Sequence, residues 1–166
     1  MNKSISFLTF ISLLGLTGCG GTLYTAKPLD SNSGKVVLLE GMKVSVSVTA
    51  PEAVLSKKLR NQFRAQLSKK NIEVVDESSN TIVVEIDRYE QGIGIFRFTS
   101  IPFLTAALGS SYLDGTVELT TDNGNTTLNV LKDGQTTGPS QTGDQTDDNC
   151  ELFVKKVVYK MYKKSK

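Results

Sequence analysis

Histidine and tryptophan are absent, cysteine occurs twice and proline four times in 166 residues. Without histidine there is no imidazole ligand for zinc and no Ser-His-Asp or Cys-His nucleophile system. Two cysteines are too few for a disulfide scaffold or a thiolate zinc site within one chain. Neither sign of charge dominates: 19 cations face 17 anions, for a net charge of +2 and a pI of about 8.5. That balance lacks the electrostatic footprint of a nucleic-acid-binding domain. Apolar residues make up 39% and charged residues 22%, ordinary values for a globular chain. The length suits one domain.

The first 19 residues read MNKSISFLTFISLLGLTGC. Lys3 supplies a positive n-region, and the apolar run from Phe7 to Leu16 has the length of a signal h-region. It falls well short of the roughly 20 residues that span a bilayer as a helix. Leu16-Thr17-Gly18-Cys19 resembles the bacterial lipobox. The resemblance implies cleavage between Gly18 and Cys19, a diacylglyceryl group on the Cys19 sulfur and an acyl group on the new amine. The chemistry needs a thiolate, the one side chain nucleophilic enough for the lipid transfer. Gly18 lets a peptidase bind the backbone closely. No cofactor is expected beyond this covalent lipid. Gly20 stands where an Asp would hold a Gram-negative lipoprotein at the inner membrane. The implied location is the outer membrane, facing the periplasm.

Residues 1–18 are thus expected to be a cleaved signal peptide. Residues 19–34 carry the lipidated Cys and a flexible tether rich in Gly, Ser, Thr and Pro. Residues 35–166 form one domain. Val44, Val46 and Val48 alternate with polar residues, as in a half-buried strand. Thr49 and Glu52 match a capping box, with Pro51 in the first turn. Leu55, Leu59, Phe63 and Leu67 predict the buried stripe of a helix running to about Lys70, and Asn71 suits its left-handed end. Residues 72–75 and 81–89 read as two strands joined in an antiparallel hairpin. Residues 113–120 and 126–131 flank an Asn123-Gly124 turn. A closing helix starts near Asp148, with Phe153, Val154, Val157, Val158 and Met161 on its apolar face. The pattern predicts an α+β fold, an antiparallel sheet of about four to six strands packed with two helices.

Candidate sites for chemistry are few. Glu85 and Asp87 share a strand face, but a solvated surface accounts for them. Cys150 reads as a partly buried spectator. The apolar stretch from Ile93 to Leu108, between two strands, holds Ile95, Phe96, Phe98, Ile101, Phe103 and Leu104, with Arg97 its single charge. Two readings stand: a cap over the open end of the sheet, or an exposed segment that docks on a protein or dips into a membrane. The expected contact surface is this stretch. Lys155, Lys156, Lys160, Lys163, Lys164 and Lys166 make a basic tail, whereas residues 20–154 hold 12 cations and 17 anions. Cations complement a helix C-terminus; they also suit anionic headgroups.

The lipobox at 16–19, KVSVSV at 43–48, the helix and strand at 59–75, TIVVEIDRYEQG at 81–92, DGTVELTTDNG at 114–124 and the closing helix together resemble small bacterial outer-membrane lipoproteins of the YajG-like kind. The resemblance implies a non-enzymatic, lipid-anchored accessory or scaffolding component of an envelope assembly. Its partners would be the membrane, through the anchor, and an envelope protein, with no nucleic acid. A lipid-binding auxiliary of an envelope lipid transporter is the alternative, and it requires a concave apolar pocket.

Overall fold

Six strands and two helices make up the computed structural model, which describes residues 23–29, 36–91, 111–133 and 146–163. The elements are β1 (Leu23–Pro28), β2 (Lys43–Thr49), α1 (Ala53–Ser68), β3 (Glu73–Val75), β4 (Thr81–Glu90), β5 (Tyr112–Thr121), β6 (Gly124–Asp133) and α2 (Thr146–Met161). The strands form one sheet in the order β1-β6-β5-β4-β2-β3. Both helices lie on one face of it and pack against each other. The α+β class and the two helices agree with the sequence pattern.

The α1 stripe is buried as its spacing requires. Leu55, Leu59, Phe63 and Leu67 have at most 1% of their surface exposed, and each such burial is worth about 1.5–3 kcal/mol. Asn71 ends the turn after α1 at φ 55°. The buried face of α2 is also as expected: Phe153, Val154, Val157, Val158 and Met161 all lie in the core. Cys150 is fully buried among them.

Four expectations are corrected. The sheet is mixed, because β2 pairs in parallel with both β3 and β4. The expected hairpin between 72–75 and 81–89 therefore does not form; β2 is inserted between its two arms. The chain leaves β2, runs back along α1 and enters β3 as a β-α-β unit. Second, part of the expected tether is a strand. β1 pairs antiparallel with β6 from Leu23↔Asp133 to Pro28↔Leu128, and Tyr24 and Ala26 are buried. Tyr24 packs edge-on against Phe153, with centroids 6.0 Å apart. Third, Thr49 ends β2 rather than capping α1. Glu52 is the N-cap, in extended backbone and with no side-chain cap bond. Fourth, α2 begins at Thr146, so Asp147 and Asp148 lie in its first turn, where carboxylates offset the helix dipole.

At the β5–β6 turn neither Asp122 nor Asn123 has positive φ. Gly124 takes it alone, at φ 121°. A register shift between Ile86 and Arg88 marks a bulge in β4 beside Gly115.

Candidate functional site

Strand parity and helix placement divide the charges of this domain. Residues 53–70 carry six cations and no anion. Residues 146–163 carry Lys155, Lys156, Lys160 and Lys163 against Asp147, Asp148 and Glu151. The two helices themselves hold seven cations against three anions, and Lys69, Lys70 and Lys163 just after them bring the helix layer to a net of +7. The remaining described residues hold four cations against twelve anions, a net of −8. Arg60 and Arg64 are exposed on α1, and Lys69 and Lys70 just after it. On the opposite face of the sheet, Glu73 and Glu85 are exposed and Glu118 is half-buried. Val83 pairs with Glu118 and Glu85 with Thr116, so Glu85 and Glu118 are diagonal neighbours on one face. Thr81, Thr116, Thr120, Thr127 and Asn129 surround them, all partly exposed.

The basic face contains a shallow groove of about 490 Å³ between the helices, lined by Gln66, Lys70, Lys155, Val158, Tyr159 and Tyr162. Lys70 lies 5.0 Å from the centre of the Tyr162 ring, within range of a cation–π attraction. Lys155 pairs with Glu151 at 2.7 Å, and that bond holds the Glu151 carboxyl below its ordinary pKa. Tyr159 is 76% exposed. The groove is open and its lining is largely apolar, with Lys70 and Lys155 set among Val158, Tyr159 and Tyr162.

A polar cluster occupies the other end of the helices. Lys132 Nζ donates to the Ser111 carbonyl and lies 3.3 Å from Ser111 Oγ. Asn149 Nδ2 donates to the same Oγ at 2.7 Å. Tyr89 OH and Thr146 Oγ1 are 2.9 Å apart, and Gln91 Nε2 donates to Tyr89 OH at 2.7 Å. Arg88 lies 4.0 Å above the Tyr112 ring. A Ser beside a Lys suggests a nucleophile and its base. Here Ser111 is 2% exposed, and its hydroxyl and carbonyl are both engaged, so the group joins β5, β6 and α2 as a polar staple. Sequence reading missed Lys132. Its signal was parity: Thr126, Leu128, Val130 and Lys132 alternate on the inward face of β6. Among the described residues, no three Asp, Glu or Cys side chains come together as a metal site.

Of the residues singled out from sequence, Lys155, Lys156, Lys160 and Lys163 lie on or just after α2. The structure brings Lys155 to the groove with Lys70 of α1. Lys163 donates its backbone N–H to the Leu38 carbonyl at 3.0 Å, fastening the end of the helix to the chain before β2. Gly18, Cys19, Ile95, Phe96, Phe98, Ile101, Phe103, Leu104 and Lys164 lie outside the described residues.

No family model matches the chain, and no curated protein matches it by sequence. Solved structures do match. A single-substitution variant of PelC from Paraburkholderia phytofirmans, crystallised as a dodecamer, superposes with a TM-score of 0.52 at 9% identity. The match covers 85% of this chain and 99% of that one. The fold is PelC-like. A second PelC dodecamer from the same organism gives 0.50 at 9% identity with the same coverage. At that identity the likeness is one of fold, and the residues that build the charged faces here must be argued from this chain alone.

Proposed function

We propose that this chain is a lipid-anchored, non-enzymatic scaffold of the outer membrane, facing the periplasm, which assembles with copies of itself. The observation that carries the reading is the basic helix layer, net +7, against the rest of the described residues, net −8, among which Glu85 and Glu118 lie side by side on the opposite sheet face. Two unlike faces on one molecule favour a head-to-tail contact, and such contacts close into rings when the rotation allows. The PelC dodecamer is an assembly built on the same fold, which supports the reading. Complementary faces also speed association and set its register.

In this proposal residues 1–18 are the cleaved signal and Cys19 carries the lipid. Residues Ile95, Phe96, Phe98, Ile101, Phe103 and Leu104 meet the membrane or an envelope partner. The end of β4 and the start of β5, which flank that stretch, pair at Glu90↔Tyr112. They lie at the same end of the sheet as Leu23, the first residue of β1. Confinement to a surface raises the effective concentration of every copy, so modest contacts suffice for assembly.

The test is sedimentation velocity on the domain from residue 20 onward, over a range of salt. Assembly is expected at low ionic strength and should weaken sharply towards about 1 M salt, where the Debye length falls to about 3 Å. Arg64→Glu should weaken it, and Glu85→Lys mixed with Arg64→Glu should restore it. A monomer at every salt and concentration refutes the reading. Lipid co-purifying with the delipidated domain would instead favour a lipid-binding auxiliary.

A further inference from the structure

The extent of β1 fixes how far the domain stands from its anchor. Only four peptide steps separate Cys19 from Leu23, which is already paired with Asp133 in the sheet. Fully extended, four residues span about 14 Å. A tether running to residue 34 would have let the domain tumble freely; four residues do not.

The topology then says which end is held down. β6 ends at Asp133 beside Leu23. β5 starts and β4 ends at that same end of the sheet. The start of α2 is fastened there through Thr146 to Tyr89 and through Asn149 to Ser111. Lys58 of α1 bonds Asp147 of α2 at 3.0 Å, so the first halves of both helices share this end. Both helices finish at the other end, where Lys70 meets Tyr162 and Leu38 receives the end of α2. The β5–β6 turn is there too, with Gly124 beside Val36.

From this geometry we infer that the domain rests on the lipid headgroups by the sheet end that carries Leu23, with the basic groove and the β5–β6 turn directed away from the anchoring bilayer. The inference depends on the lipidated Cys19 of the proposed function. The occupant of the surface is the bilayer that holds Cys19. Arg88, half-exposed over the Tyr112 ring and paired with Glu90 at 3.0 Å, gives this end a neutralised cation and an aromatic, side chains that suit a headgroup layer. Glu90, Asp114, Asp147 and Asp148 lie at the same end, so charge attraction does not hold it there; the short link does. Lys160 and Lys163, for which headgroup contact was one reading, lie at the end of α2 and hence at the far end of the domain.

The experiment uses the full lipidated protein in phospholipid vesicles containing a headgroup-attached nitroxide. A fluorophore is placed at Asp148→Cys, near the anchored end, or at Asn123→Cys or Tyr159→Cys, at the far end. The background carries Cys150→Ala. All three label positions are exposed. Quenching at 148 should exceed that at 123 and 159 several-fold, since a ten-residue strand separates the ends by about 30 Å. Inserting about 12 Gly/Ser residues after Gly20, a reach of about 20 Å, should flatten the gradient. Equal quenching at all three sites of the uninserted protein, or stronger quenching at 123, overturns the inference. The intact mass of the same sample reports the lipid on Cys19. A mass without it overturns the anchor reading itself, which separates the two failures.

Discussion

Replacing Gly115 by Ala tests the bulge in β4 directly. Gly115 sits mid-strand in β5, between Ile86 on one side and Val130 on the other. A Cβ added there meets the carbonyl oxygen of Glu85 far inside van der Waals contact. It also lies 3.1 Å from Ile86 Cδ1 and 3.2 Å from Ile86 Cα. Two of these neighbours are backbone atoms of a hydrogen-bonded central strand, so no side-chain rotation relieves the clash. Overpacking of a tight interior costs about 1–3 kcal/mol, and a backbone obstacle puts this site at the upper end. The lower entropy of an unfolded chain with Ala offsets about 0.4–1 kcal/mol. The net is a loss of about 2 kcal/mol, a large share of the 5–15 kcal/mol typical of a domain. Urea unfolding followed by circular dichroism should show the midpoint falling by about 1–2 M with an unchanged slope. Gly41→Ala is the control. Gly41 has φ 84° but nothing within 4 Å of the added atom, so its cost is backbone strain of about 1–2 kcal/mol. A Gly115→Ala protein within about 0.5 kcal/mol of the parent, the ordinary range of surface changes, refutes the close approach of β4 to β5.

Phe63 is fully buried in the α1 stripe, and Phe63→Ala should cost about 3–5 kcal/mol in the same unfolding assay. The buried Tyr24 hydroxyl has no hydrogen-bond partner among the described residues, so Tyr24→Phe should leave stability unchanged or raise it by up to about 1 kcal/mol at neutral pH. Burial, and then the charge of Asp114, push the Tyr24 phenol well above its ordinary range. The unfolded chain ionises near pH 10 while the folded one stays protonated, so stability is full below that pH and falls as pH rises through it. The difference between parent and Tyr24→Phe, titrated in urea, should show this loss in the parent alone. Lys132→Ala removes the inward cation of the polar staple, and leaving Ser111 without that donor should cost about 1–3 kcal/mol. The exposed Lys27→Ala, on the neighbouring strand, should stay within about 0.5 kcal/mol of the parent.

Local periodicity made the helices and the β5–β6 pair legible. Leu55, Leu59, Phe63 and Leu67 recur at helical spacing and are buried, and Asp122 to Asn125 turns the chain where turn chemistry says it must. Pairing between distant segments was not legible, because period-2 alternation fixes which face a residue takes and not which strand lies beside it. Hence β3 and β4 looked like a hairpin although β2 lies between them. β1 was hidden for a different reason. LYTAKP alternates Tyr24 and Ala26 inward, but it is short and set in a Gly/Ser/Thr-rich context that reads as linker. Thr49 and Glu52 had capping-box spacing, yet strand pairing continues through Thr49↔Glu85 and outweighs a local cap. The charge division was legible in part: the basic tail and the net negative body stand out in the chain, and the fold adds that α1 and α2 lie together.

The pairing of the first strand with the last has a consequence for how the domain is made. Among the described residues β1 pairs with β6 alone, so the N-terminal strand waits until most of the chain has emerged. Contacts this distant in sequence slow folding, since the loop must close before the pairing is repaid. During that wait β6 presents an unpaired edge, a template for any strand nearby. A chain already fixed at Cys19 would keep its own β1 within a few residues of the membrane and close to that edge. The anchor would thus act early, in selecting the right strand to complete the sheet, as well as late, in holding the finished domain to a surface.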